Sequence, residues 1–371
     1  MNSKKTILII IVIGTIIGLV IMISNYYNYN NHLNSLNYSN KSIQEMEKLN
    51  ITKLVIKKNK YSKTLETALN NNKFMYAALD LYMSLDYIED GDDIENINDL
   101  VSKGYSNEQI ITIFNKLGPD EIEDLLDHNI IIDIEKYLNL SYFNPYNLDR
   151  YLDYRDDNPE LNINDIVTSV NIGLDFPYYV HVKEIDDPHD ITVLVNKYRR
   201  LPSEFVPKNL LPIDSDCSNN GALLVKEARD AFNKVCHHMK NKGFSIKGTS
   251  GYRSYNYQYN LYNNYVNNDG VEKADTYSAR PGHSEHQLGL AIDVSAEDNS
   301  IVKFQNSNEF RWLKNNAHKY GFIIRYPENK DSITGYKSEP WHYRYVGIDI
   351  ATYIYENAIT YDEYYIRFLN N

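Results

Sequence analysis

An uncharged run from Thr6 to Ser24, built largely of Ile, Leu, Val, Gly and Met and preceded by Lys4 and Lys5, constrains this chain more than any other feature. Its length matches the roughly 20 residues that a helix needs to cross the hydrocarbon of a bilayer. It has no polar face, which argues against a helix packed on a globular core. The run is long for the apolar stretch of a cleaved leader, and Met22-Ile23-Ser24-Asn25 offers no small-x-small processing site. The expectation is an uncleaved transmembrane signal-anchor, with Lys4 and Lys5 in the cytoplasm and the chain from Asn25 onward outside. A cleaved leader, the competing reading, exports the remainder in the same way.

The 38 basic and 50 acidic residues give a formal charge of -12, which leaves no basic footprint for gripping phosphates and excludes nucleic acid as the natural partner. At 371 residues, with 43% hydrophobic and 24% charged residues, the chain is expected to fold as about two domains. Only Cys217 and Cys236 are present, so neither a disulfide framework nor a Cys-rich zinc finger is available. Cys236 falls inside an apparent helix and Cys217 just ahead of it, so two free or buried thiols are expected rather than a bridge. Any metal must then be held by His and carboxylates.

Four segments are expected: a cytoplasmic tip and transmembrane anchor over 1–24, an Asn-, Ser- and Tyr-rich stalk over 25–60, a helical region of open role over 61–180, and a second domain over 181–371. In the helical region Leu65, Leu69, Met75, Ala78 and Leu81 form one candidate buried face, and Ile110, Ile111, Ile113, Phe114 and Leu117 another. Ser106 and Pro119-Asp120-Glu121 read as helix starts. Past residue 180 the texture changes. The β-branched run Asp190–Asn196 suits a strand, Pro202, Pro207 and Pro212 punctuate an extended stretch, and helices then alternate with short strands, which argues for an α+β domain. His318 is expected on the exposed side of one of these helices.

Three segments of this half concentrate chemistry, one of them Ser250-Gly-Tyr-Arg-Ser254, where Arg253 follows an expected strand. In Gly282-His-Ser-Glu-His-Gln-Leu-Gly-Leu-Ala-Ile-Asp293, neither a straight strand nor a straight helix brings His286 to Asp293, whereas a kink at Gly289 does. In Glu339-Pro-Trp-His342, Pro340 rules out a helix interior or central strand, so a turn must present Glu339 and His342 to one cavity. His286, Asp293 and His342 fit a zinc site with two His and one carboxylate, with Glu339 as a base for water and Arg253 as a group that stabilises an oxyanion. Taken singly, His286 or His342 is more often an ordinary surface or core histidine, and Asp293 an ordinary helix or strand terminus.

The strings Ser250-Gly-Tyr-Arg-Ser254 with Gln258, Ser284-Glu-His-Gln-Leu-Gly-Leu-Ala-Ile-Asp293, Gly321-Phe-Ile-Ile-Arg-Tyr-Pro327 and Glu339-Pro-Trp-His-Tyr-Arg-Tyr-Val-Gly347 resemble the VanY-type D-alanyl-D-alanine carboxypeptidases. These are zinc peptidases related to VanX, the lysostaphin-type enzymes and the hedgehog signalling domain. The resemblance covers about half the chain. It implies a small, mostly antiparallel sheet flanked by helices, Zn2+ on His286, Asp293 and His342, Glu339 as the base, and Arg253 polarising the scissile carbonyl. It also implies that Ser284, Gln258 and Tyr252 hold the substrate. The implied reaction removes the terminal D-amino acid from peptidoglycan stem peptides, on the wall side of the cell membrane. An L,D-carboxypeptidase or a cross-link endopeptidase with the same site, and a noncatalytic wall-binding module, are the alternatives.

Overall fold

The computed structural model describes the backbone of residues 3–218, 220–296 and 301–370, and their side chains except at 3–10, 26, 301 and 302. The side chains of Lys4, Lys5 and the start of the expected span therefore lie outside the described residues. The chain divides into two compact units, Met1–Tyr146 and Asn147–Asn371.

The described residues of the first unit form helices and no strand: α1 (Ser3–Ser35), α2 (Asn40–Lys48), α3 (Thr52–Lys58), α4 (Lys63–Asn70), α5 (Leu79–Ser84), α6 (Gly91–Lys103), α7 (Asn107–Lys116), α8 (Pro119–Asp127) and α9 (Ile134–Leu138). Ser106 caps α7 through a reciprocal pair with Gln109, and Pro119 opens α8, as their residue types predict. Within α1, the stretch Ile11–Ser35 contains an 18-residue window with a mean hydropathy of 1.6 and is long and apolar enough to cross a membrane, alone in this among the described residues. The stretch read as a stalk is folded instead. Leu33, Ile43, Met46, Ile51 and Val55 are all buried, but they are shared among the end of α1 and two short helices, so no single window displays a period.

In the second unit, α10 (Leu148–Asp157) and α11 (Ile163–Ile172) precede β1 (Lys183–Glu184), β2 (Arg199–Arg200) and the hairpin β3 (Leu210–Pro212) and β4 (Leu223–Val225). There follow α12 (Lys226–Asn241), β5 (Ile246–Ser250), α13 (Tyr255–Asp269), α14 (Val271–Ala274), β6 (Ala291–Ala296), α15 (Ile301–Phe304), α16 (Asn308–Asn316), β7 (Phe322–Ile324), α17 (Asp331–Thr334), β8 (His342–Tyr345), α18 (Ile348–Asn357) and α19 (Tyr361–Phe368). The main sheet has the order β5-β6-β8-β7 and is antiparallel throughout.

Strand alternation sorts its faces. Ile292 and Val294 of β6 and Tyr343 of β8 enter a core with Phe232, Val235 and Met239 of α12, while Asp293, His342 and Arg344 are left for the opposite face. Burying a side chain such as Phe232 contributes about 2 kcal/mol.

The division between units falls at Tyr146 and Asn147, not at 180. α10 and α11 continue the helical texture of the first unit, yet their partners lie downstream: Arg367 of α19 donates to Thr168 and Asp165, and Tyr198 donates to the Phe176 carbonyl. The Asp190–Asn196 run is not a strand either. Its carbonyls are taken by side chains, with Arg344 donating to Ile191 and Val193, Arg325 to Val195, and Tyr361 to Thr192. These four carbonyls are satisfied without a neighbouring strand.

Cys217 and Cys236 form a disulfide, with Cα atoms 6.1 Å apart, which corrects the expectation of free thiols. The β3–β4 hairpin reverses the chain immediately ahead of α12, and Gly248 donates to the Cys217 carbonyl, pinning that loop beside the helix. Replacing both cysteines by Ser is expected to cost about 3 kcal/mol, the chain-entropy value for a loop of this length. Urea unfolding of the variant beside the oxidised parent measures it, and equal midpoints would show that the bridge contributes nothing.

Candidate active site

A 3-10 turn at Glu285–Leu288 ends on Gly289 at φ +67°, and β6 begins two residues later. A Cβ at Gly289 would stand 2.9 Å from Leu210 and 3.2 Å from Val225, so both the left-handed backbone and the close packing require glycine. This turn is the expected kink. It carries His286 back to Asp293, with Nε2 to Oδ2 at 3.4 Å. Antiparallel register then sets His342 of β8 directly opposite Asp293 of β6, with Nδ1 to Oδ1 at 3.2 Å. One ligand atom from each of the three side chains lies within 4.8 Å of the others, and all three residues are buried.

Hydrogen bonds outside this triangle decide which ring nitrogens face inward. His286 Nδ1 lies 2.7 Å from the Gly251 carbonyl and so carries the proton, turning the Nε2 lone pair toward Asp293. His342 Nε2 lies 3.5 Å from Glu285 Oε2, and neither atom has a hydrogen-bond partner elsewhere. A neutral His342 with its proton on Nε2 would turn that N–H toward the carboxylate and its Nδ1 lone pair toward Asp293, 3.2 Å away. Three acceptors thus converge with no donor of their own between them, and the two imidazoles are oriented by a carbonyl and a carboxylate as metal-binding histidines are. The donor set suits a zinc ion with an open coordination position.

The electrostatics favour a second proton on His342, one that a metal at Nδ1 would displace. Burial works against a charge on His342, but the hydrogen-bonding carboxylates of Asp293 and Glu285 hold its pKa up to about 9. Burial, with Arg253 nearby, pushes His286 down to about 4. Asp293 stays ionised in spite of burial because His286, His342 and Arg253 surround it. Glu339 reaches the triangle from the turn before β8, its Oε2 3.7 Å from His342 Nδ1; burial raises it to about 7, partly opposed by His342. A carboxylate poised near neutrality is suited to general base catalysis.

These groups open on a cleft of about 680 Å3, whose lining includes Arg253, Gln258, Ser284, Tyr336, Glu339 and Trp341. Arg253 donates to Asp293 Oδ2 at 2.5 Å and to the Ser250 hydroxyl at 2.8 Å. Gln258 donates to the Ala279 carbonyl, leaving its buried Oε1 without a partner. Tyr252 is not in the lining; its amide donates to the Leu223 carbonyl. The structure therefore gathers His286, Asp293, His342, Glu339, Arg253, Ser284 and Gln258 at one cleft and leaves Tyr252 outside it. His318 is buried and stacked on Tyr355 at 3.9 Å, not exposed.

Sequence reasoning gave no role to Arg325, Arg344 or Asp362. Arg325 Nε and Arg344 Nη1 both donate to Glu285 Oε1, at 2.7 and 3.0 Å, and Arg325 Nη1 donates to Asp362 Oδ2 at 2.6 Å. The signal available was a charged residue inside each apolar strand string, Ile-Ile-Arg-Tyr and His-Tyr-Arg-Tyr, which is costly to bury unless paired.

A family model described as VanY, D-alanyl-D-alanine carboxypeptidase, matches residues 221–348. Over 206 residues the chain is 39% identical to YodJ of Bacillus subtilis (strain 168), provisionally named a carboxypeptidase, a match taking in 52% of this chain and 76% of that protein. The chain belongs to the VanY-type D-alanyl-D-alanine carboxypeptidase family. A D-alanyl-D-alanine carboxypeptidase of Enterococcus faecalis (strain ATCC 700802 / V583) is 46% identical over 100 residues, 27% of this chain and only 36% of that one. Among solved structures, that of the LdcB LD-carboxypeptidase is 39% identical, covering 51% of this chain and 91% of its own, with a TM-score of 0.48. The VanY match holds Arg253, Ser284, His286, Asp293, Glu339 and His342, but neither Asn196 nor Asp362.

One consequence for stability lies beside the cleft. His283 donates from Nδ1 to the Asn196 carbonyl at 2.8 Å, and burial lowers its pKa from 6.5 to about 4. Between pH 6.5 and 4 the unfolded chain binds the proton and the folded chain does not, so this group's contribution is complete above 6.5 and declines as pH falls toward 4. Glu339, raised to about 7, acts in the opposite direction over part of the same window. The stability difference between the parent and His283→Gln isolates the histidine: it should shrink by about 2 to 3 kcal/mol from pH 7.5 to 4.5. Urea unfolding at both pH values measures it, and a constant difference would mean that His283 titrates normally.

Proposed function

We propose that this chain is a zinc-dependent carboxypeptidase that removes the terminal D-amino acid from peptidoglycan stem peptides. The observation that carries the reading is the convergence of His286 Nε2, His342 Nδ1 and an Asp293 carboxylate oxygen, with the Glu339 carboxylate beside them in a cleft. When bound there, zinc supplies Lewis acidity that makes water a nucleophile near neutral pH. Glu339 takes the proton of the attacking water and returns it to the leaving amine. Arg253 faces the negative charge that develops on the scissile carbonyl oxygen. Ser284 and the unpartnered Oε1 of Gln258 offer the peptide hydrogen-bonding groups in the cleft wall. The D-alanyl-D-alanine carboxypeptidases among its relatives support the substrate class.

The test is mass spectrometry of defined muropeptides incubated with the zinc-loaded protein. Loss of one D-Ala from a pentapeptide stem supports the proposal. Cleavage confined to tetrapeptide stems would make it an L,D-carboxypeptidase, and release of cross-linked strands an endopeptidase. Intact substrates throughout would leave a noncatalytic wall-binding module.

We also propose that α1 anchors the protein in the cell membrane with Lys4 and Lys5 in the cytoplasm and the second unit facing the wall, since its apolar window is wholly unburied. The disulfide fits an oxidising compartment. Protease added to wall-stripped cells should digest the second unit, and protection of that unit while an external control is cut would reverse the orientation.

A further inference from the structure

We propose that Asp362, in the first turn of the C-terminal helix α19, is a positioning residue for His342, acting through Arg325 and Glu285. The inference rests on the metal reading above and concerns a residue the family match does not reach.

For Glu285 to keep Oε2 turned toward His342 Nε2, neither neighbouring guanidinium can spend a second N–H on that oxygen. Arg344 cannot, because its Nε donates to the Tyr345 carbonyl and its Nη2 to the Ile191 and Val193 carbonyls. Arg325 is restrained differently. Its Nε is on Glu285 Oε1, its Nη1 is held by Asp362 Oδ2 at 2.6 Å, and its Nη2 reaches only the Val195 carbonyl at 3.5 Å. Asp362 is itself fixed, since Asn196 donates to its Oδ1 at 2.9 Å. Without the Asp362 carboxylate, the fork of Arg325 is released to close bidentately on Glu285 and take Oε2 from His342. The imidazole then loses the acceptor that sets its tautomer.

Charge points the same way. Arg325, Arg344, Glu285 and Asp362 are fully buried and sum to zero, so removing Asp362 leaves one uncompensated positive charge beside the ligands. Asp362 is also not needed to start its own helix. The capping box of α19 is made by Thr360 and Glu363. A carboxylate buried at the second helical position, yet spent on a distant arginine, has a role outside the helix.

The experiment uses the full chain in detergent and reads zinc affinity by competition with a chromogenic chelator, together with kcat and KM. Asp362→Asn is expected to weaken zinc binding about 10-fold or more, the range for outer-shell partners of a metal-binding histidine, and to lower kcat with KM little changed. Arg325→Lys, which keeps the charge but cannot bridge two carboxylates, should show the same loss and serves if Asp362→Asn fails to fold. In the Glu285→Gln background the effect of Asp362→Asn on zinc affinity should largely disappear, because the two residues act along one chain. Thr360→Ala weakens the same helix end without touching the relay and should leave zinc affinity unchanged. Parental zinc affinity in Asp362→Asn, full additivity with Glu285→Gln, or an equal loss in Thr360→Ala would each overturn the inference. A parent chain that binds no zinc would overturn the metal reading and this inference together. Zinc binding without peptide hydrolysis would remove only the substrate reading.

Discussion

Glu339→Gln is expected to retain zinc and substrate binding and to lose at least ~10²-fold in kcat, the lower range for general acid-base catalysis. The substitution keeps the size of the side chain and much of its hydrogen bonding while removing its ability to accept a proton. Glu339 is surplus to a site already holding two imidazoles and a carboxylate, and its Oε2 is 3.7 Å from His342 Nδ1, the nitrogen proposed as a ligand. It is also the carboxylate of the cleft that burial brings up to about 7. Activity should therefore fall as pH drops through the Glu339 pKa, since the protonated carboxyl accepts nothing, and a bound cation moves that limb to lower pH. Steady-state kinetics and a chelator titration on the same preparation distinguish the outcomes. Loss of zinc would make Glu339 a ligand and displace Asp293 from that role. Near-normal turnover would leave the cleft without a base, because Glu285, the next carboxylate, has one oxygen on two arginines and the other on His342.

His342→Ala is expected to abolish both zinc retention and hydrolysis. The imidazole contributes one of three converging ligand atoms, and its removal also strands Glu285 Oε2, a fully buried carboxylate oxygen with nothing else to accept from. Leaving a buried charged group without its partner costs several kcal/mol, so a lower thermal midpoint should accompany the loss of metal. His342→Gln, which restores a polar side chain opposite Glu285, should recover part of the stability and none of the activity. Metal analysis after gel filtration decides the matter. Stoichiometric zinc in His342→Ala at undiminished affinity would sink the ligand assignment.

Much of the site was legible in one dimension because its chemistry is written in short strings. Gly289 between His286 and Asp293 announces a kink, since neither regular periodicity can join those two residues. Pro340 between Glu339 and His342 announces a turn for the same kind of reason. The spanning-length run at the N-terminus, the caps of α7 and α8 and the apolar face of α12 are likewise local properties of side-chain type and spacing. Local signals of this kind survive whatever the rest of the chain does.

What only the tertiary structure decided was long-range partnership. Asp293 and His342 are 49 positions apart and meet because β6 and β8 pair in one register, in which a shift of a single residue would turn His342 into the apolar core. The Cys217–Cys236 bridge depends on a hairpin folding back along α12, and the Asp190–Asn196 run declines to form a strand because arginines from β8 and the end of β7 take its carbonyls. The boundary at Tyr146, the packing of α10 and α11 with the C-terminal half, and the reach of Asp362 through Arg325 to Glu285 belong to the same class. A residue type states which bonds a side chain can make. Which partner it meets depends on how distant segments share one core, and a buried arginine or carboxylate is silent about that until the core is assembled.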